Sequence, residues 1–265
     1  MIVYIWVSQP GKSTSPRAVM RCLSQRGPLW SRRMKFPSPL VRGTLLKRYK
    51  RFLADIQFPD GREITAHVAN PGAMIGLNAP GSEVWLSKSD NPKRKLAYSW
   101  ELIKADGVLV GLNTAWPNPL AAEALAAGKI EELQGYNSVR REVKYGVNSR
   151  IDLLLADDEK PTCYVEIKNV HLKRGPAAEF PDCRTERGAK HLRELTDMVA
   201  AGHRAVMLYV VQRDDCDSFT TADDLDPVYG KALREAVAHG VETICYDCRV
   251  TTESIDWGRP LPVKL

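Results

Sequence analysis

The sequence predicts an α/β (α+β) protein in two parts: a small OB-like β-barrel, then an α/β domain with a mixed central sheet. Three observations predict this. Up to Thr114 the chain breaks into short apolar runs separated by Gly, Pro, Asn and Asp, the pattern of a small barrel. Beyond Gly135, strand-like runs alternate with helical periods, which implies parallel pairing through right-handed crossovers. Between them the Ala-rich stretch LAAEALAAGKIEEL, after Asn118-Pro119, reads as a joining helix weakened by Gly128. The divisions are an extension at 1–33, a barrel at 34–114 and an α/β domain at 115–265.

Residues 1–33 hold Pro, Ser, Gly and Arg without an apolar period. They read as a disordered or non-native extension, most simply from a start codon assigned too far upstream, although the acid-free, Arg-rich composition also suits a transit peptide. Val41–Ile56, the turn Pro59-Asp60-Gly61 and Glu63–Val68 read as a long hairpin. Glu83–Ser87, Tyr98–Lys104 and Val108–Leu112 add short strands. Ile151–Leu155 and Cys163–Ile167 form a second hairpin around the polar loop 156–162. Val170–Arg184 reads as a polar loop. Thr185 caps a helix over Glu186–Ala201 with a stripe at Ala189, Leu192, Leu195 and Val199. Arg204–Val211 suits a strand buried on both faces, followed by a helix over Pro227–His239 and a strand over Val241–Tyr246.

Chemistry concentrates in the second hairpin. Folded symmetrically, it sets position 155 against 163 and therefore Asp152 against Glu166. Like charges on facing strand positions repel. Alternation puts Lys168 on the face of Glu166. Two carboxylates and an ammonium in one patch suit a hard cation, Mg²⁺ or Mn²⁺, that retains waters for a phosphate substrate. Lys168 would orient that water or offset charge on the phosphate. The competing reading is a set of solvated strand-end charges.

Arg150-Ile151-Asp152 and Val165-Glu166-Ile167-Lys168 resemble the Asp…Glu-x-Lys signature of the PD-(D/E)xK nuclease superfamily. More closely, the chain resembles the sugar fermentation stimulation protein A family. The motifs that carry this are LLKRYKRFLADI, DNPKRK, YSWEL, REVKYG, SRID, EIKNV and FPDCRTERGAKHLREL, in that order. The resemblance implies an OB-like barrel followed by a nuclease-like domain, and DNA binding without sequence preference. It adds Glu142 as an upstream acid of a metal site and the Ile167 carbonyl as a third ligand beside Asp152 and Glu166. It places the helix after Lys168 at the site's border, so Arg187 and Lys190 become phosphate contacts and His191 a proton carrier. Each also has an ordinary surface or packing reading. A metal-dependent phosphodiesterase competes with a non-catalytic DNA-binding regulator of sugar (maltose) metabolism. Strand preference, and RNA as a partner, stay open.

The net charge of +6 does not itself point to nucleic acid, because the six cations of residues 1–33 account for all of it. Local clusters do. Lys47, Arg48, Lys50 and Arg51 interleave with Tyr49 and Phe52, and Lys93, Arg94 and Lys95 precede Tyr98 and Trp100. Cations beside aromatic faces make a single-strand platform, unless the aromatics are barrel core. Six scattered cysteines suggest a reducing, cytoplasmic setting, and Cys245-x-x-Cys248 reads as strand rather than zinc site. No run of the sequence approaches a membrane span.

Overall fold

The runs of β-branched and aromatic residues become strands, and turn residues set where they stop. The computed structural model describes residues 34–36 and 38–265, so the readings of residues 1–33 lie outside the described residues. Strands β2 (Val41–Tyr49), β3 (Leu53–Gln57), β4 (Glu63–Val68), β5 (Glu83–Lys88) and β6 (Tyr98–Ala105) follow the short strand β1 (Met34–Lys35). They lie in the order β4-β3-β2-β5-β6, and a β4–β6 pairing closes five of them into the predicted barrel. Leu45, Ile56, Val68, Leu86 and Trp100 fill its interior. Strand β7 (Val108–Gly111) pairs with β6 outside the closed ring. Strand β1 pairs with a strand of the second domain, so the barrel's strands begin at Val41.

The run Val41–Ile56 is not one hairpin arm. It reverses at Lys50 (φ 47°) and Arg51 (φ 67°), a left-handed pair without glycine. Arg48 compensates for this turn. Its guanidinium donates to the carbonyls of Arg51 (2.8 Å), Gly72 (2.8 Å), Asn70 (3.0 Å) and Ala73 (3.2 Å). A long-range clamp of this kind has no signature in local periodicity.

The second domain adds α1 (Pro117–Ala126), β8 (Ser138–Tyr145), β9 (Ser149–Ala156), β10 (Cys163–Val170), β11 (Leu172–Arg174), β12 (Ala177–Phe180) and α2 (Glu186–Ala200). It continues through β13 (Arg204–Val211), β14 (Ser218–Thr221), α3 (Pro227–Ala238), β15 (Glu242–Val250), β16 (Ser254–Pro260) and β17 (Val263–Lys264). Its main sheet has the order β1-β16-β15-β13-β10-β9-β8. β10, β13 and β15 run parallel, as the alternation predicts, while β8, β9 and β16 pair antiparallel. β13 is buried on both faces: Val206, Leu208 and Val210 join the core shared with α1, and Met207, Tyr209 and Val211 the core shared with α2 and α3.

Three expectations shift. The Ala-rich helix ends at Ala126 because Gly128 takes φ 71°, and α1 packs on the main sheet. Residues 172–180 are not loop: β11 and β12 form a hairpin turned at Gly175 (φ 62°), extended by β14 and β17 into a small sheet. Strands this short are below what hydrophobic alternation can reveal. β16 was not anticipated. The helix at 186–200 has its predicted cap, with Thr185 Oγ1 accepting from the Gly188 amide at 3.1 Å. Cys245 and Cys248 are buried in cores on opposite faces of the sheet, so they do not share a metal. Among the described residues no helix is long and apolar enough to cross a membrane.

A polar seam fixes the barrel on the sheet. The Gly111 amide donates to the Gln212 carbonyl at 2.8 Å, and the Gln212 amide donates to the Asn113 carbonyl (3.1 Å) and to Asn169 Oδ1 (2.6 Å). A Cβ on Gly111 would sit 2.4 Å from Gln212 Oε1, so only glycine allows this approach. Arg213 is 1% exposed and donates to Asp215 (2.6 and 2.8 Å), the barrel's Asp106 (2.8 Å) and the His171 carbonyl (3.3 Å). Removing the cation takes the donor from Asp106 and from the His171 carbonyl and leaves Asp215 with Lys173 alone, 3.0 Å away. Arg213→Met is expected to cost roughly 3 kcal/mol in a denaturant titration, and a loss under about 1 kcal/mol would show that the seam does not hold the domains.

Candidate active site

The β9–β10 ladder runs Leu155–Cys163, Leu154–Tyr164 and Leu153–Val165, the register derived from the sequence, and stops there. Asp152 and Glu166 come next but do not form a ladder pair. The strands part, and Asp152 Oδ2 instead accepts the Ile167 amide at 2.7 Å. A strand residue's carbonyl points to the same side as its amide, so that of Ile167 faces the gap beside Asp152.

Each carboxylate is held from a different helix. Asn118, in α1, donates to Asp152 Oδ1 (2.7 Å) and Glu142 Oε1 (3.4 Å). Glu142 lies at a break in the β8–β9 ladder with φ 53°, an unusual conformation for a residue with a side chain. On the α2 side, Glu166 Oε1 accepts from Lys168 Nζ at 2.7 Å and closely contacts His191 Nδ1. Arg187 Nε donates to His191 Nε2 at 3.2 Å, which assigns the imidazole proton to Nδ1, facing Glu166. His191 is buried with both nitrogens engaged, so it is built to orient Glu166 rather than to exchange protons with solvent.

The electrostatics are unequal. Burial pushes the Asp152 carboxyl up to about 6, and the charge of Glu166 pushes the same way against the Ile167 amide, Lys168 and Asn118. Burial also pushes Glu166 up, but Lys168 and His191 outweigh it and hold that carboxyl below its ordinary value. Glu166 Oε2 is buried without a hydrogen-bond partner, and so is the nearby Tyr145 hydroxyl, which burial and the surrounding carboxylates raise far above its usual range. A buried carboxylate oxygen without a donor costs stability unless something positive meets it. The donor set, two carboxylates and a backbone carbonyl, is of the oxygen kind that a hard divalent ion takes. Among the described residues no group of three or more His, Cys, Asp or Glu side chains is placed to hold a metal ion, so an ion here would rest on two carboxylates, a backbone oxygen and water.

The remaining candidates scatter. Arg187 reaches the site through His191. Lys190 points away, donating to the Val147 carbonyl at 2.6 Å and lying 3.6 Å from Glu194. In the barrel, Arg48 is spent on carbonyls, Lys47 pairs with Asp55 at 3.3 Å, and the Tyr49 hydroxyl also bonds Asp55 at 3.0 Å. Trp100 is core, with its indole N–H on the Leu102 carbonyl, and Tyr98 packs edge-on against Phe58. Packing has therefore taken Trp100 from the expected platform, while Tyr98 stays half-buried at its edge. Phe52, Lys50, Arg51, Lys93, Arg94 and Lys95 remain exposed on barrel turns, with Arg94 donating to Ser99 at 3.0 Å. Asn118 and Tyr145 carry no sequence signal for the site: Asn118 lies 34 positions before its partner Asp152.

A family model described as "Sugar fermentation stimulation protein RE domain" matches residues 115–254, and one described as "SfsA N-terminal OB domain" matches residues 46–112. The sugar fermentation stimulation protein homolog of Paramagnetospirillum magneticum is 62% identical over 232 residues, covering 88% of this chain and 98% of that protein. The homolog of Rhodospirillum centenum is 62% identical over 229 residues, 86% of this chain and 98% of the relative. The solved structure of Pyrococcus furiosus SfsA in complex with Ca²⁺ is similar in fold, with a TM-score of 0.80 and 24% identity over 89% of this chain and 100% of that one. With both domains matched in order and relatives aligned over nearly their whole length, the chain belongs to the sugar fermentation stimulation protein (SfsA) family.

Proposed function

We propose that this protein binds DNA and carries a divalent-metal-dependent phosphodiesterase site at the β9–β10 gap. One observation carries the reading: Glu166 is buried with an unpartnered oxygen beside Asp152, whose carboxyl burial and the neighbouring charge hold near 6. Such an acidic pair costs stability by itself and gains from a cation. Asp152, Glu166 and the Ile167 carbonyl would hold Mg²⁺ or Mn²⁺, with Glu142 reaching the same patch through Asn118. The Ca²⁺ bound by the Pyrococcus relative supports a divalent ion in this fold. When bound, such an ion supplies Lewis-acid polarisation of a phosphoryl oxygen and a more acidic water.

The chain's own residues do the rest. Lys168, 13% exposed, keeps its ammonium at the mouth of the site against Glu166. From there it can orient a water or meet charge growing on the phosphate. His191 fixes the Glu166 carboxylate, and Arg187 fixes His191. The exposed barrel cations Lys50, Arg51, Lys93 and Lys95 supply sequence-independent grip on the backbone.

Mg²⁺ or Mn²⁺ is expected to raise the melting temperature by several degrees, and Asp152→Asn to abolish the rise; an equal rise in the variant would end the metal assignment. The effect should depend on pH. Because the folded-state value of Asp152 lies above its ordinary 3.8, the ion-free protein loses this group's contribution as pH rises from about 4 through 6. A proton then competes with the metal below about 6, so the metal-induced rise should be larger at pH 8 than at pH 5. Single- and double-stranded DNA incubated with Mn²⁺ should be cut, and Lys168→Ala should slow cutting by at least about a hundredfold. Binding without cutting, unchanged by Lys168→Ala, would leave the non-catalytic regulator.

A further inference from the structure

We propose that the α1-facing side of the β8–β9 hairpin, carrying Arg141, Lys144 and Arg150, is a phosphate-binding tract that leads a DNA strand onto the acidic pair. The inference rests on the proposed DNA-acting site and assigns that site's substrate-guiding surface.

Facing strand residues share a side of the sheet, and the register decides which side. Val143, Tyr145 and Ile151 pack toward α2 and α3. Lys144 and Arg150, which lie between them and face one another, therefore point to the α1 side. Arg141 faces Leu153, whose side chain belongs to the α1-side core. Glu142 and Asp152 are bonded there by Asn118 of α1. The left-handed backbone at Glu142 breaks strand alternation and lets Arg141, Glu142 and Lys144 share one side. Along the hairpin the order is thus cation, carboxylates, cation pair. Two residues of strand span about 6.7 Å, comparable with the spacing of successive phosphates.

The three cations are exposed, and none forms an ion pair or hydrogen bond among the described residues. Lys144 directly facing Arg150 is a like-charge pair, which destabilises a hairpin. Charge on an edge strand such as β8 discourages edge pairing, but one lysine would serve that purpose. The opposed pair instead lines a cavity of about 370 Å³ with Tyr145, Gly146, Asn148 and Ser149. An anionic backbone is the partner that turns this repulsion into binding.

The test is anisotropy of labelled single- and double-stranded DNA in a metal chelator, so that cutting does not enter. The variant is Arg141→Gln/Lys144→Gln/Arg150→Gln, and the control removes equal charge elsewhere by Arg193→Gln/Lys231→Gln/Lys264→Gln. The expected result is a Kd at least about tenfold higher for the hairpin variant, with a salt-dependence slope reduced by roughly 2 to 3, and a control within about twofold of the parent. The hairpin variant should melt at the same temperature or higher, because a like-charge pair has gone. Equal weakening in both variants, or in neither, overturns the tract. If the parent binds and only Lys93→Gln/Lys95→Gln loses affinity, the tract falls while DNA binding stands. If the parent binds no DNA at all, both readings fall.

Discussion

The structure depends on a buried glutamate kept charged. Glu166 sits inside the main sheet, where a carboxylate alone would protonate or unfold its surroundings. Lys168 on the same strand and His191 on α2 hold it ionised, and Arg187 holds His191. This chain of contacts ties α2 to the sheet beside the apolar stripe of Leu192 and Leu195. It also leaves one carboxylate oxygen without a hydrogen-bond partner, and the proposed metal site is built on that oxygen.

Asp152 is the complementary half. By taking the Ile167 amide, it replaces a ladder bond and marks where β9 leaves β10. Asn118 then couples this acid to Glu142 from the opposite helix. The two faces of the sheet thus contribute separately, α1 through an amide and α2 through an imidazole, to one gap.

The barrel is placed by polar contacts together with an apolar one, in which Leu102, flanked by Trp85 and Leu109, joins the core around α1. Gln212 and Arg213, directly after the buried strand β13, carry the bonds that dock it. Arg48 serves the barrel's own tight turn in a similar way. These are basic or amide groups that composition alone would assign to ligand binding. Burial distinguishes them from Lys50, Arg51, Lys93 and Lys95, whose heads stay in water.

By itself the sequence determined the barrel, the parallel order around Arg204–Val211, the cap at Thr185 and the hairpin register that pairs Leu153 with Val165. These follow from periodicity and turn chemistry, which act over a few neighbouring residues. Only the tertiary structure decided that the ladder ends before Asp152, that Asn118 bonds Asp152, that Arg187 bonds His191, that Lys190 bonds the Val147 carbonyl and that Trp100 lies in the barrel core. Those outcomes depend on which buried polar group finds a partner far along the chain. Such pairing is set by packing and desolvation in three dimensions, which local pattern does not encode.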